Sequence, residues 1–345
     1  MSPAIFMIIM SSLATGTIIT MISHHWLVAW AGLEMNTLAI IPAISTTHSP
    51  RATEAATKYF LTQAAASALI LFSSMANAWQ TGTWDITSTL STPTHIMLTF
   101  ALAMKLGLAP AHFWLPEVLQ GSTMTTALII TTWQKLAPMT LIYLTVHSLS
   151  TTVLMTLGVL SSIVGGWGGL NQTQTRKIMA YSSIAHLGWM ITISSIMLNI
   201  MIFNLALYFI MTTALFCSLI ASKSKAIKDT TTIWALSPTT ASMTMLALLS
   251  LSGLPPLTGF APKWLILEEL ITQNLIPATT AMAMSTLLSL FFYLRLTYTT
   301  TLTLSPNTTQ TKFKWRFKPN TPTLLLTTLS TMSTLLLPIT PMILL

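Results

Sequence analysis

Long apolar runs alternate with short polar or proline- and glycine-rich breaks along the whole chain. Cutting the sequence at those breaks predicts eleven membrane-spanning helices, because about 20 mostly apolar residues are needed to cross ~30 Å of hydrocarbon. The pattern therefore indicates an all-α polytopic membrane protein. The predicted spans are roughly 3–22, 26–45, 57–78, 94–120, 124–146, 151–170, 177–197, 199–221, 239–267, 277–299 and 323–344.

The fourth and ninth predicted spans are longer than one membrane crossing requires, and they contain the same motif. The fourth has Gly107-Leu-Ala-Pro110 and a further Pro116, and the ninth has Gly253-Leu-Pro-Pro256 and a further Pro262. Proline removes a backbone donor and clashes with the preceding turn, so we expect each span to be one discontinuous helix. The two copies are 146 residues and five spans apart, which predicts inverted repeats like those of transporter folds.

Composition supports the membrane assignment. Hydrophobic residues make up 52% of the 345 positions and charged residues only 6%, and the mean hydropathy is +0.71. A soluble domain has about 25% charged residues, so this composition excludes a soluble surface. Met1 opens directly into the first span without a basic or cleavable leader, and we expect that span to be retained.

The basic residues are distributed asymmetrically between the two predicted faces of the membrane. With alternating loops, twelve of the fifteen Lys and Arg residues lie on or near the N-terminal side, and the opposite face carries only Asp85, Glu268 and Glu269 outside the spans. The positive-inside rule then places the N-terminus inside and the C-terminus outside. We attribute the net charge of +8 to topology and anionic lipid rather than to nucleic acid. The twelve are Arg51, Lys58, Arg176, Lys177, Lys223, Lys225, Lys228, Arg295, Lys312, Lys314, Arg316 and Lys318.

The chain has a single cysteine, Cys217. One cysteine excludes an internal disulfide, and it excludes a cysteine-ligated iron–sulfur cluster held by this chain alone. We therefore expect any redox group to lie on another chain.

Glu34, Lys105, Lys135 and Lys263 are ionisable residues that lie inside predicted spans. Each costs roughly 2.5–3.5 kcal/mol at a helix centre, and such residues usually mark ion or proton paths. Lysine suits a proton relay because burial lowers its proton affinity and a nearby carboxylate raises it again. The four residues are therefore candidates for a proton path.

Snorkelling and a purely structural ion pair are the alternatives to a proton path. Lys135 is about eleven residues, or roughly 16 Å, from either end of its span, which is too far for its side chain to reach the interface. Lys263 precedes Glu268 by only five residues, so snorkelling stays open there. A pair between Glu34 and a lysine that only holds helices together also stays open.

Two histidines are further candidates. His112 and His186 lie within or beside span interiors, in AHFW and IAHLGW, where they could extend a proton chain. Packing without any relay role is the alternative for each of them.

Five segments together resemble one known family. They are GLEMNT (32–37), KLGLAPAHFWLPEVLQG (105–121), WQKLAP (133–138), RKIMAYSSIAHLGWM (176–190) and LSGLPPLTGFAPKW (251–264). The whole chain resembles the chain 2 family of NADH:ubiquinone oxidoreductase, which is respiratory complex I. This family consists of antiporter-like subunits, and the chain resembles its mitochondrially encoded vertebrate type.

The resemblance implies a single antiporter-like membrane domain. It would consist of two inverted five-helix repeats, about 1–148 and 149–300, followed by a basic loop and a last helix, about 301–345. It also implies site roles: Glu34 and Lys105 would be an interacting pair, Lys135 the central relay, and Lys263 the lysine on the broken helix of the second repeat.

The resemblance further implies where the chain is located and which molecules surround it. No redox cofactor is expected on this chain, and NADH, FMN, iron–sulfur clusters and ubiquinone are expected elsewhere in the complex. Expected neighbours are other membrane-arm core subunits, including a second antiporter-like subunit, accessory subunits, and phospholipids such as cardiolipin. The location implied is the mitochondrial inner membrane, with the N-terminus in the matrix and the C-terminus in the intermembrane space.

The leading hypothesis for function is proton translocation coupled to NADH oxidation and ubiquinone reduction carried out elsewhere in the complex. An autonomous secondary cation/proton antiporter is a second hypothesis, but it needs a cation site, and no aspartate lies within a predicted span. A purely structural membrane subunit is a third, and it leaves the four intramembrane charges unexplained.

Overall fold

The computed structural model describes residues 3–88, 91–303 and 324–341. Within those ranges the chain is helical and forms no β-strand, which confirms the predicted all-α class. The helices are α1 (Pro3–Ile22), α2 (Trp26–Ile44), α3 (Pro50–Thr81), α4 (Thr92–Leu106), α5 (Trp114–Gly121), α6 (Met124–Thr131), α7 (Leu136–Thr145), α8 (Thr151–Gly169), α9 (Thr175–Ser194), α10 (Leu198–Ser222), α11 (Ile227–Thr230), α12 (Ile233–Leu236), α13 (Pro238–Ser252), α14 (Phe260–Thr272), α15 (Ile276–Thr301) and α16 (Leu324–Leu335).

Six of the described helices are long and apolar enough to cross a membrane: α1, α2, α3, α8, α10 and α15. The predicted count of eleven spans stays a prediction, because other spans are divided into shorter helices and because the basic segment 312–318 lies outside the described residues. Helix α3 begins seven residues before its predicted span, where Ser49 accepts a hydrogen bond from the Ala52 amide and Pro50 occupies the first turn.

The break predicted in the fourth span is present between α4 and α5. Gly107 caps the C-terminus of helix α4, and its φ of 80° lies in the left-handed region that glycine adopts without a steric penalty. The amides of Gly107 and Leu108 both donate to the carbonyl of Ala103, at 2.9 Å each, and these bonds terminate the helix. Helix α5 resumes at Trp114.

The break predicted in the ninth span has the same geometry at its start. Gly253 caps the C-terminus of helix α13; its φ is also 80°, and its amide donates to the Ser250 carbonyl at 3.0 Å. Helix α14 resumes at Phe260. The repeated motif therefore predicted both interruptions correctly.

A third break lies in the fifth predicted span, roughly 124–146, where the sequence analysis did not predict one. Helix α6 ends at Thr131, a 3-10 turn covers Trp133–Lys135, and α7 begins at Leu136. Pro138 explains the break, because its ring opposes the carbonyl of Gln134 one turn earlier and it has no amide hydrogen to donate.

The described residues form two compact units. The first contains Met1–Ser161 and Leu187–Leu198. Within it α1 packs closely on α2: a Cβ on Gly32 would lie only 2.9 Å from the carbonyl oxygen of Gly16. Small residues let two helix backbones approach in this way. Helix α3 packs against α2, α4 and α5.

The second compact unit contains Ser162–His186 and Asn199–Leu345, of which the described part is considered. Helix α15 packs against α13 and α14, and α16 packs against α13. Arg295 of α15 donates from both terminal guanidinium nitrogens to the carbonyls of Leu170 and Gln172, at 2.6 Å each. These bonds hold the end of α8 to α15.

Candidate functional site

Three of the four predicted intramembrane charges lie in the first unit, and helix ends place two of them, Lys105 and Lys135. Lys105 belongs to the last turn of α4, two residues before the left-handed Gly107, and is 6% exposed. Lys135 belongs to the 3-10 turn between α6 and α7 and is 3% exposed. Glu34 lies in the middle of α2 and is half-buried.

Lys105 and Lys135 line one cavity of about 20 Å³. Helices α2 to α7 and the 3-10 turn all contribute to its wall, so the two helix breaks converge on the same space. The lining residues are Leu33, Asn36, Thr37, Tyr59, Gln63, Lys105, Leu106, Trp114, Leu115, Ile130, Gln134, Lys135, Ala137 and Pro138.

Glu34 is not among the residues that line this cavity, but its charge acts on two of them. The carboxylate interacts electrostatically with Lys105 and with Tyr59. Within the described part of the chain it forms no direct ion pair with Lys105, and both Glu34 Oε2 and Lys105 Nζ are buried without a hydrogen-bond partner. The two groups are therefore close enough to influence each other and are not locked together.

Lys105 also lies at a favourable place for a cation. The C-terminal end of a helix has unpaired carbonyls and a partial negative charge, which stabilise a cation nearby. One of those carbonyls, at Met104, accepts a hydrogen bond from Trp114 Nε1 at 3.1 Å across the break. That bond ties the first residue of α5 to the last turn of α4.

Lys263, in the second unit, reaches a helix end of the same kind. It lies in the first turn of α14, and its Nζ donates to the carbonyl of Ser252, the last residue of α13, at 2.7 Å. The side chain folds over Gly253, where a Cβ would lie 2.9 Å from Lys263 Nζ. The ammonium group therefore caps the half-helix that precedes the break.

The two candidate histidines have different environments. His112 lies in the break between α4 and α5, packs against Phe113 and is not among the residues that line the cavity. His186 lies on α9 in the second unit, with Nε2 3.4 Å from the hydroxyl of Tyr293 and its ring 5.5 Å from that of Tyr208.

Both tyrosines beside His186 are fully buried, and each hydroxyl also bonds a serine of α9: Tyr293 with Ser182 and Tyr208 with Ser183. The structure thus places His186 in a network of hydroxyl groups. Sequence reasoning missed these tyrosines, because an aromatic residue in an apolar span is usually a packing residue.

A cluster of three charges lies at the exposed edge of the first unit. Lys58 of α3 contacts Glu54 Oε1 at 2.5 Å and Glu117 Oε2 of α5 at 2.6 Å. All three side chains are 40–60% exposed. The cluster therefore joins α5 to α3 outside the buried cavity.

Comparisons with known proteins show the family to which the chain belongs. Residues 23–289 match the family model described as NADH:quinone oxidoreductase/Mrp antiporter, and residues 290–344 match that of the NADH dehydrogenase subunit 2 C-terminus. NADH-ubiquinone oxidoreductase chain 2 of Varanus timorensis is 58% identical over 342 residues, which cover 99% of each chain. The chain belongs to the NADH-ubiquinone oxidoreductase chain 2 family.

Members of the chain 2 family from distant vertebrates match along their whole length. The Xenopus laevis protein is 54% identical over 345 residues, covering 99% of each chain. The resemblance found in the sequence is therefore confirmed.

Solved structures share the fold. A chain of respiratory complex I from Thermus thermophilus with bound Aureothin superposes with a TM-score of 0.83 at 24% identity, covering 99% of this chain and 79% of that one. A chain of the archaeal membrane-bound sulfane sulfur reductase gives a TM-score of 0.85 at 15% identity, covering 96% and 72%. The antiporter-like membrane fold predicted for this chain 2 family member is confirmed.

Proposed function

We propose that this chain is a membrane-arm subunit of respiratory complex I that translocates protons across the mitochondrial inner membrane. NADH oxidation and ubiquinone reduction on other subunits supply the energy. Membership of the chain 2 family supports the assignment to complex I. The convergence of Lys105 and Lys135 at one buried cavity, with the charge of Glu34 acting on Lys105, is the observation that carries proton translocation.

The geometry suits a proton step controlled by distance. A carboxylate that approaches an ammonium group favours its charged form, and one that withdraws favours release of the proton. Glu34 and Lys105 interact without a direct bond, so a small movement of α2 relative to α4 changes their interaction strongly. Lys105 then takes up a proton when Glu34 is near and passes it to Lys135 when Glu34 withdraws.

We assign the second half of the path to Lys263 and His186. Lys263 at the end of α13 holds a positive charge against a helix terminus, as Lys105 does. His186 exchanges a proton with the hydroxyl of Tyr293. His112 is kept as a lower-ranked relay candidate, because it is buried in the break between α4 and α5 but does not line the cavity.

The surroundings of the chain follow from the same assignment. We propose a single domain with repeats at about 1–148 and 149–300 and a last segment at about 301–345. The N-terminus is in the matrix and the C-terminus in the intermembrane space. Its neighbours are other membrane-arm subunits, including a second antiporter-like subunit, together with accessory subunits and cardiolipin. Elsewhere in the complex are the binding sites for NADH, FMN, iron–sulfur clusters and ubiquinone.

Autonomous cation/proton exchange is the second candidate function, because the matching family model also includes Mrp antiporters. An isolated chain in vesicles that exchanges Na⁺ for H⁺ without NADH would favour it over the first proposal. No group of three or more His, Cys, Asp or Glu residues that could hold a metal ion occurs in the part of the chain that the structure describes.

The test uses assembled complex I that carries Glu34→Gln or Lys135→Met in a genetically tractable relative. Both substitutions keep the approximate shape and remove the charge. Lys177→Met, in the first turn of α9, is the matched control. We expect normal assembly in all three variants, with proton pumping per NADH lowered only in the first two. Unaltered pumping in fully assembled Glu34→Gln and Lys135→Met complexes would refute the proposal.

A further inference from the structure

Two carbonyls in the last turn of α4 are fully occupied by hydrogen bonds. The Ala103 carbonyl accepts from the amides of Gly107 and Leu108, at 2.9 Å each. The Met104 carbonyl accepts from the Gly107 amide at 3.2 Å and from Nε1 of the Trp114 indole at 3.1 Å. Because a carbonyl oxygen has two lone pairs, neither oxygen has one left for a further donor.

Lys105 follows these two residues, and its Nζ is buried without a hydrogen-bond partner among the described residues. A lysine in the last turn of a helix can donate to the last carbonyls, and buried polar groups nearly always have a partner. Lys263 of the second unit does donate in this way, to the carbonyl of Ser252 at 2.7 Å. The two helix ends therefore differ in the side chain at the carbonyl, which is an indole at α4 and an ammonium group at α13.

Helix α3 holds Trp114 in place. Only 7% of Trp114 is exposed, and its ring meets the Tyr59 ring of α3 edge-on, with the ring centroids 5.7 Å apart. Farther along α5, a Cβ on Gly121 would lie 2.6 Å from the carbonyl oxygen of Arg51, so this helix lies directly on the first turn of α3. Even a methyl group at Gly107, 3.3 Å from Trp114 Cζ2, requires a shift of only a few tenths of an ångström, which leaves Nε1 within reach of its carbonyl.

We propose that Trp114 is a positioning residue for proton transfer, because its indole N–H occupies the second lone pair of the Met104 carbonyl and so keeps the Lys105 ammonium group from binding there. The part of Lys105 in proton transfer rests on the proposed function, whereas the exclusion of its ammonium group from the helix end does not. Trp114 carries no proton in this scheme and acts only through the position of Lys105.

An ammonium group that is bound to a helix carbonyl releases its proton less readily. The carbonyl stabilises the charged form, and a hydrogen bond from a charged donor is stronger than one between neutral groups. Without such a bond, Lys105 Nζ stays responsive to the charge of Glu34 and stays in the cavity that it shares with Lys135. Exclusion from the end of α4 therefore favours proton release.

Trp114→Phe in the assembled complex tests this proposal. Phenylalanine keeps an aromatic ring and removes the indole N–H, so the Met104 carbonyl regains a free lone pair. Trp26→Phe is the matched control, because Trp26 of α2 is 1% exposed, does not line the cavity, and has no hydrogen-bond partner for its Nε1 in the described part of the chain. The control therefore loses the same atoms and no hydrogen bond.

We expect a high-resolution map of the Trp114→Phe complex to show Lys105 Nζ within hydrogen-bond distance of the Met104 carbonyl. Pumping per NADH should fall at least about tenfold in this variant and stay unchanged in Trp26→Phe, since a bond from a charged donor changes an equilibrium by about that factor or more. A packing role alone would lower the thermal stability of both variants and leave Lys105 in place. The proposal is overturned if Lys105 Nζ stays away from the carbonyl, or if both variants pump equally well.

A map of the unmodified complex decides the question where Trp114→Phe prevents assembly. We expect Trp114 Nε1 to lie within hydrogen-bond distance of the Met104 carbonyl and Lys105 Nζ to lie beyond that distance. An ammonium group of Lys105 bound to this carbonyl in the unmodified complex would overturn the proposal, because the indole would then exclude nothing.

Lys135→Met separates this proposal from the proposed function. If Lys135→Met stops pumping while Trp114→Phe pumps as Trp26→Phe does, the positioning role of Trp114 is wrong and the proposed function stands. If Lys135→Met pumps normally, the proposed function fails, and the position of Lys105 in the Trp114→Phe map alone decides whether the indole excludes it from the helix end.

Discussion

Replacing Gly253 by alanine should impair proton pumping by displacing Lys263. The described residues include three glycines with left-handed φ values: Gly82 at 73°, and Gly107 and Gly253 at 80°. Alanine in this conformation costs roughly 1–2 kcal/mol at any of them. Only at Gly253 would the new Cβ meet a lysine, 2.9 Å from both Cδ and Nζ of Lys263.

The additional cost at Gly253 can be derived from the bond that is lost. Lys263 Nζ donates to the Ser252 carbonyl at 2.7 Å, and a hydrogen bond from a charged group contributes about 1.5–3 kcal/mol. Since each 1.4 kcal/mol changes an equilibrium about tenfold, the fraction of Lys263 at the end of α13 should fall by about 10- to 100-fold. The backbone strain of about 1–2 kcal/mol is a separate cost. It lowers the stability of the fold and does not change the position of Lys263.

The assay is NADH-driven pumping per assembled complex in sealed vesicles, measured together with thermal stability. Gly82→Ala is the matched control, because nothing lies within 4 Å of its Cβ and it carries backbone strain alone. Gly107→Ala is a second control, in which the Cβ meets Leu115 and Trp114 at 3.1–3.3 Å and no lysine. We expect all three variants to lose some thermal stability and only Gly253→Ala to lose most of its pumping per NADH.

Equal pumping in assembled Gly253→Ala and Gly82→Ala complexes would refute this reasoning. It would mean that the contact of Lys263 with the end of α13 has no part in proton transfer. If Gly107→Ala loses as much pumping as Gly253→Ala, the cause is the strained backbone at the break and not the displacement of Lys263.

Three further predictions concern other parts of the chain. Tyr293→Phe removes the hydroxyl 3.4 Å from His186 Nε2 and should lower pumping as His186→Gln does; unchanged pumping contradicts a relay through this pair. Lys58→Met should lower thermal stability at low salt, because it removes the ion pair between α3 and Glu117 of α5. The difference in stability from the unmodified protein should vanish near 1 M salt, where the screening length is about 3 Å. A difference that persists at high salt would indicate that Lys58 acts through packing instead. Protease on the matrix side of sealed vesicles should cleave at residues 223–228, and cleavage only from the other side would reverse the predicted orientation.

The helix breaks show what the sequence could predict about the fold. A glycine followed three residues later by proline is a strong local signal, because glycine ends a helix in the left-handed conformation and proline prevents it from continuing. Both predicted breaks are present for this reason. The third break was missed although Pro138 carries half of the same signal, since a single proline in a membrane helix is often accommodated without a break.

The candidate site shows a different limit. Buried charges are so costly in a membrane that Glu34, Lys105 and Lys135 could be identified without a structure. Asn36 and Gln63 could not, because an uncharged amide in a span is cheap enough to have many purposes. Only the convergence of α2, α3 and α4 on one cavity distinguishes these amides from packing residues.

Both helix breaks have a lysine ammonium group at the end of a half-helix, although the two lysines occupy different positions relative to the repeated motif. An offset of 146 places Leu251 opposite Lys105 and Lys263 opposite Glu117, so the lysines are not equivalent residues of the repeat. Lys105 belongs to the half-helix whose end it occupies, whereas Lys263 reaches back from the following helix to the Ser252 carbonyl. A cation at the end of the half-helix is thus common to both breaks although the residue that provides it differs. We infer that the helix end, with its unpaired carbonyls, determines where a proton-carrying lysine is useful, and that the sequence position of the lysine is secondary.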